Sequence, residues 1–217
     1  MQEVSDRVPS PLDSEFESGE QESSIVKPRS FIEKNIKKIT VRIARFLSQW
    51  SWITPNKITL LSATIGGPLA GWIIFQGQGA IATIFIIFSG ILDDLDGDLA
   101  RERGTASKEG AILDSVLDRY VDFSLISALI LVSPSHHLIP GLLALMGATL
   151  VPYIRARSEA EGKSTISSIG DRTTRTIVLI VGLLTGQIFA ILIVLAVISN
   201  IAALHRFIFA LIPGNGE

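Results

Sequence analysis

The stretch from Gly90 to Asp118 reads GILDDLDGDLARERGTASKEGAILDSVLD and holds the residues best suited to chemistry. On a helix, Asp93 and Asp96 share a face, with Gly97 and Ala100 on the same side. Asp114 and Asp118 share a face on the next helix. If the two helices pack antiparallel about a loop at 102–109, both acidic pairs meet at one depth. Ionised carboxylates brought together repel, and near a low-dielectric membrane each carries a desolvation cost unless it is compensated. Divalent cations are the simplest compensation. An all-oxygen donor set suits Mg²⁺ or Mn²⁺, and the lack of Cys or His beside it disfavours zinc. Two ions roughly 3.5–4 Å apart could share these carboxylates and grip a pyrophosphate between them. Gly97, Ala100 and Gly110 remove bulk from the acidic faces and leave room for a nucleotide. Asp94 and Asp98 point elsewhere and are read as polar residues solvating the inner helix end, or supporting the ligands from behind.

The elements that must position these acids look like membrane helices. Of the 217 residues 47% are hydrophobic and only 18% charged, and the apolar residues gather in blocks long enough to cross a bilayer. The expected fold is an all-α membrane protein with six transmembrane helices behind an amphipathic interfacial helix. Residues 1–29 read as a mobile acidic tail with no signal-peptide pattern, and 30–52 as the interfacial helix. There Ile32, Ile36, Ile39, Ile43, Phe46, Leu47 and Trp50 form an apolar face, and Lys34, Lys37, Lys38, Arg42 and Arg45 lie largely opposite. Residues 53–217 form the six-helix domain, with spans near 56–75, 80–101, 110–132, 138–158, 170–185 and 187–212. The connections at 76–79, 133–137 and 185–187 contain no Lys or Arg, so the positive-inside rule places both termini and the acids on the cytosolic side. Cysteine is absent, which excludes disulfides, thiolate ligands and a cysteine nucleophile.

These acids fall on the pattern D-x2-D-G-x2-A-R-x8-G-x3-D-x3-D at Asp93, Asp96, Gly97, Ala100, Arg101, Gly110, Asp114 and Asp118. The chain thereby resembles the CDP-alcohol phosphatidyltransferase family over roughly residues 50–212, and Pro55-Asn56-Lys57-Ile58-Thr59 is similar to the family's PNxxT element. The resemblance implies that Asp93, Asp96 and Asp114 are metal ligands and that Asp118 is both ligand and general base. It implies that Asn56, Thr59, Gly97, Ala100, Arg101 and Gly110 hold the CDP part of the donor, that two Mg²⁺ (or Mn²⁺) ions serve as cofactor, and that the protein is a homodimer in a prokaryotic cell membrane. The acceptor hydroxyl would attack the β phosphorus directly and release CMP, since no separate serine or histidine nucleophile is evident.

A second basic group lies in VPYIRARSEAEGKSTISSIGDRTTRT. Arg155, Arg157, Arg172 and Arg175 at the inner ends of two helices look like a phosphate pocket, because arginine matches phosphate oxygens bidentately. A helix N-terminus near residues 167–171 would add free N–H groups. The run Tyr153-x-Arg155-Ala156-Arg157-x-Glu159-Ala160-x-Gly162, followed by Gly170-Asp171-Arg172-x2-Arg175, is similar to the branch of the family that uses inositol phosphate. That resemblance implies transfer of a phosphatidyl or archaetidyl group from a CDP-linked lipid to a small phosphorylated polyol. Alternatives are a CDP-inositol donor, giving di-myo-inositol phosphate phosphate, and a glycerol 3-phosphate acceptor. Membrane lipid is an expected partner and nucleic acid is not. A cation transporter is the rival of another class, but the outer halves of the helices carry almost no ionisable residues to line a path.

Overall fold

The structure, a computed structural model, describes residues 31–166 and 170–212, with side chains from Lys37 onward. The expected tail at 1–29 and residues 167–169 lie outside the described residues. The chain divides between Lys37 and Lys38, and the packing described below is that of the second unit. Every regular element among the described residues is helical: α1 (Phe31–Leu47), α2 (Pro55–Phe75), α3 (Gly79–Glu102), α4 (Lys108–Val132), α5 (Pro134–Ala160), α6 (Arg172–Thr185) and α7 (Ile188–Leu211). Three of these, α2, α5 and α7, are long and apolar enough to cross a membrane. The other three expected spans also occur as helices. Acidic clusters interrupt the apolar runs of α3 and α4, and α6 has only 14 residues.

Pro55 stands in the first turn of α2, where its missing N–H costs nothing. Pro68, inside the same helix, coincides with a widened π turn at Ile65–Leu69. That turn exposes a small-residue face to two neighbours. A Cβ at Gly67 would lie 3.2 Å from the Val121 Cα, and one at Gly71 would lie 3.2 Å from the Ser124 carbonyl oxygen, so α2 and α4 touch backbone to backbone. On its other side α2 meets α3 through a reciprocal pair: Ser62 donates to the Ser89 carbonyl and Ser89 to the Ser62 carbonyl, each at 3.0 Å. Helix α2 therefore packs against both acidic helices. Close antiparallel packing of α3 on α4 was expected from the sequence; the two instead make little direct contact, because α2 fills the position beside each.

The most extensive helix pair is α5 with α7. Asn200 Nδ2 donates to the Leu143 carbonyl at 2.8 Å, and Gly147 abuts Ser199. His137, expected in an outward loop, lies in the first turn of α5, buried, with Nδ1 2.8 Å from the Leu129 carbonyl oxygen. In α1, Thr40 and Ala44 are fully buried, whereas Ile39, Ile43 and Phe46 are exposed. The helix thus rests on a narrow polar-and-small edge and leaves its apolar face uncovered.

Gly147 gives a direct check of the α5–α7 contact. A Cβ there would come within 2.6 Å of the Ser199 Cβ and 2.8 Å of the Asn200 backbone nitrogen. Gly147→Ala should therefore destabilise the protein by about 1–3 kcal/mol, as overpacking does. Gly90→Ala meets nothing within 4 Å and should be neutral or slightly stabilising. Thermal unfolding of the detergent-solubilised variants separates the two; equal melting temperatures would contradict the packing.

Candidate active site

Helix α3 supplies Asp93 and Asp96, and helix α4 supplies Asp114 and Asp118. Ser107 caps α4 by accepting from the Gly110 backbone N–H at 3.1 Å, which fixes the phase from which both α4 acids project. One carboxylate oxygen from each of Asp93, Asp114 and Asp118 lies within 4.8 Å of the others. Asp96 is more deeply buried, close enough to Asp93 and Asp114 to be repelled by both, and faces Thr59 on α2. Its Oδ2 is buried without a hydrogen-bond partner. An orphaned buried carboxylate oxygen beside three clustered carboxylates fits a hard divalent cation, and the donor set is all oxygen.

A single guanidinium nitrogen balances part of this charge. Arg172 Nη1 donates to Asp93 Oδ2 at 2.6 Å and lies 2.7 Å from Asp118 Oδ1. Arg172 opens α6, and the preceding Asp171 caps that helix by accepting from the Thr174 backbone N–H (2.9 Å) and hydroxyl (2.8 Å). Asp171 thus occupies one of the first-turn N–H groups expected to be free at this helix N-terminus.

A cavity of about 650 Å³ opens beside Arg172. Asp118, Arg155, Arg172 and Arg175 line it, together with Arg119 and Arg206. Arg175 is buried, pairs with Asp122 at 2.8 Å and donates to the Gly170 carbonyl at 2.9 Å. Arg155 is exposed and pairs with Glu159 at 2.7 Å. Arg157 does not line the cavity; it is exposed and paired with Glu161 one turn on. Arg119 and Arg206 are cavity residues that spacing alone does not single out. A signal existed for Arg206, since an arginine well inside an apolar helix marks a buried polar surface.

Of the residues expected to face a nucleotide, Thr59 and Gly97 lie beside Asp96. Asn56 Oδ1 lies 3.7 Å from where a Cβ would sit at Gly110. Gly97 lies under the Arg101 guanidinium, and Ala100 is half-buried. Arg101 is exposed and paired with Asp98 at 2.7 Å. Asp98 does not solvate the helix end. It is buried, and the Thr40 hydroxyl of α1 donates to it at 2.7 Å. Asp94 is exposed.

The sequence profile described as CDP-alcohol phosphatidyltransferase matches residues 52–210. The chain belongs to the CDP-alcohol phosphatidyltransferase family. It is an integral membrane enzyme of that family, consistent with its three long apolar helices. Among relatives, the archaetidylinositol phosphate synthase of Pyrococcus horikoshii is 31% identical over 178 residues, covering 82% of this chain and 93% of that protein. The bifunctional IPC transferase and DIPP synthase of Aquifex aeolicus is 34% identical over 182 residues, covering 79% of this chain; the chain spans 42% of that longer protein. The crystal structure of Mycobacterium tuberculosis phosphatidylinositol phosphate synthase with CDP-DAG bound superposes with a TM-score of 0.76 at 28% identity, covering 83% of this chain and 98% of that one. The same enzyme has been solved in complex with manganese and citrate, with a TM-score of 0.74, 27% identity, and coverage of 82% of this chain and 92% of that one. Divalent metal use fits both that neighbour and the carboxylate cluster of α3 and α4.

Arg172→Gln would leave Asp93 and Asp118 facing each other without their shared cation. Both acids are partly exposed, so in chelator the loss should fall between the ~1 kcal/mol of exposed pairs and the ~3–5 kcal/mol of buried ones. Added Mn²⁺ should restore more of the melting temperature in the variant than it adds to the wild type. A variant as stable as wild type in chelator would contradict the bridging role.

Proposed function

We propose that the chain transfers a phosphatidyl or archaetidyl group from a CDP-linked lipid to inositol phosphate and releases CMP. The observation that carries this reading is that Asp118 belongs both to the carboxylate cluster and to the lining of the arginine-rich cavity. A phosphorylated polyol whose phosphate is gripped by Arg155, Arg172 and Arg175 would present a hydroxyl close to Asp118. The names of the Pyrococcus and Mycobacterium relatives support the same acceptor class.

In this reading Asp93, Asp96, Asp114 and Asp118 hold the divalent metal. Bound there, two Mg²⁺ or Mn²⁺ ions supply charge neutralisation for the donor pyrophosphate and the departing CMP. Asn56, Thr59, Gly97, Ala100, Arg101 and Gly110 seat the cytidine end. Asp118 takes the proton of the acceptor hydroxyl as that oxygen bonds to the β phosphorus and the bond to the CMP oxygen breaks. A carboxylate in such company is a weak base, so its contribution comes chiefly from placement. Arg172 would exchange its two carboxylate partners for the acceptor phosphate, linking acceptor binding to the freeing of Asp118. Arg157, turned toward Glu161, would join the pocket only by a rotamer change.

The reading includes six spans, with α1 lying in the interface on its exposed Ile39, Ile43 and Phe46 while Arg42 and Arg45 meet anionic headgroups. It places the site on the cytosolic side of a prokaryotic membrane, in a homodimer. What supports these is the charge-free character of the turns opposite the site, and the family. A second reading, with CDP-inositol as donor, is favoured by the likeness to the Aquifex protein.

A product assay decides between them. Purified protein with Mg²⁺ should release CMP from CDP-diacylglycerol or its ether analogue only when inositol phosphate is added. Turnover with CDP-inositol alone as donor selects the second reading, and turnover only with glycerol 3-phosphate rejects both. Asp118→Asn should lower kcat by about 100-fold or more, in the range of a lost general base. Near-normal turnover of that variant removes Asp118 from the base role. Arg155→Ala should raise the acceptor KM and leave donor binding intact.

A further inference from the structure

The corner between α1 and α2 contains no metal ligand, yet it is among the most heavily bonded places in the structure. Arg103, just past the end of α3, reaches back across it. Its Nη1 donates to the Ile53 carbonyl at 2.5 Å, and its Nη2 to those of Leu47 (2.9 Å) and Trp50 (2.8 Å), with Ser48 at 3.4 Å. These acceptors include the last carbonyl of α1, Leu47, which also accepts from the Trp50 backbone N–H at 3.0 Å, and a cation at this helix end complements the helix dipole. Beneath the guanidinium lies a small separate core of Ala44, Ile58, Leu95 and Leu99, which ties α1, the start of α2 and the end of α3 together. Thr40 and Asp98 close the far side of the same junction.

The importance of this junction lies in the residues it delivers to the site. Ile53 is three residues before Asn56 and six before Thr59. The cap position of α2, Thr54, makes no side-chain cap bond, and among the described residues the one side-chain bond from α2 back to the preceding corner is Lys57 Nζ to the Trp52 carbonyl at 2.9 Å, an exposed contact. Asn56 approaches Gly110 on α4, and Thr59 faces Asp96 on α3. Nothing in the catalytic cluster itself sets the height of these two residues relative to the acids. The Ser62–Ser89 pair registers α2 against α3 beyond Thr59, and Arg103, which leaves α3 seven residues after Asp96, ties down the chain that delivers Asn56 from the other side.

We propose that Arg103 is a positioning residue for the donor's nucleotide: by clamping the carbonyls of Leu47, Trp50 and Ile53 it fixes Asn56 and Thr59 opposite Asp96 and Gly110. It touches no substrate. Its effect is confined to the nucleotide end of the site, because the arginine-lined cavity is built from α4, α5, α6 and α7. The inference rests on the proposal that Asn56 and Thr59 face a CDP group.

The test uses the full chain in detergent with Mg²⁺, as wild type, Arg103→Lys and Arg103→Gln. CMP affinity is read by calorimetry, and donor KM, acceptor KM and kcat by CMP release. Arg103→Gln should weaken CMP binding and raise the donor KM by about tenfold or more, the scale on which slight misplacement of an ordering group acts. Its acceptor KM should stay within about twofold of wild type. Arg103→Lys keeps the charge but can satisfy fewer carbonyls, and should fall between the two. A merely structural role would lower the active fraction, and so kcat, without moving CMP affinity or donor KM; that result in both variants would overturn the inference. Wild-type protein that binds no CMP would overturn the functional reading and this inference with it. Wild-type binding matched by both variants would overturn this inference alone.

Discussion

Mutual repulsion among the carboxylates of α3 and α4 is the constraint around which the rest of the structure is arranged. Asp93, Asp114 and Asp118 converge within 4.8 Å while Asp96 sits buried beside them. Such a group can persist only where cations are brought to it and where its helices are kept from collapsing on each other. Arg172 meets the first need by bridging two of the acids from a third helix. The glycine-rich face of α2 meets the second, since it lets one helix lie beside both acidic helices and hold them at a working distance. Both devices serve a divalent metal site: the charge remains concentrated, and a gap remains open.

The four expected acceptor arginines divide into three kinds by their surroundings. Arg175 is anchored by Asp122 and the Gly170 carbonyl, so its geometry is set before any ligand arrives. Arg155 and Arg157 each hold an acid one turn away at an exposed position, pairings that cost little to break. Arg172 stands between, committed to the acids on one side and open to the cavity on the other. Around the cavity Arg175 is thus a rigid anchor, Arg155 an adaptable rim and Arg172 a shared cation, while Arg157 stands outside it.

Much of this was legible in the sequence because helical phase is arithmetic. The spacing of Asp93, Asp96, Asp114 and Asp118 placed them on two faces, and the six expected apolar segments appear as α2 to α7. What was not legible depended on a neighbour distant in the chain. Asp98 is phased away from the ligands, but it is buried and bonded by the Thr40 hydroxyl of α1, a partner 58 residues away in the chain. Spacing also could not reveal that α2 would separate α3 from α4. Arg103 looked like one more inner-end base, and only the folded corner shows four carbonyls within its reach. The helix start near 167–171 was legible, but spacing could not show that Asp171 would cap it through the Thr174 backbone N–H.

The brevity of α6 has a consequence for access. Its 14 residues span roughly 21 Å at the ordinary helical rise, against about 30 Å of hydrocarbon. In the proposed six-span arrangement the helix could not reach both faces of the hydrocarbon, and a shortfall at the Arg172 end would matter most, because that end carries the cavity arginines. Bulk solvent would then dip into a crater above that first turn, and a sugar phosphate could descend to the guanidinium groups without shedding its hydration. A lipid-tailed partner would arrive sideways from the bilayer leaflet, so the two reactants would use separate doors and neither would have to leave before the other came in.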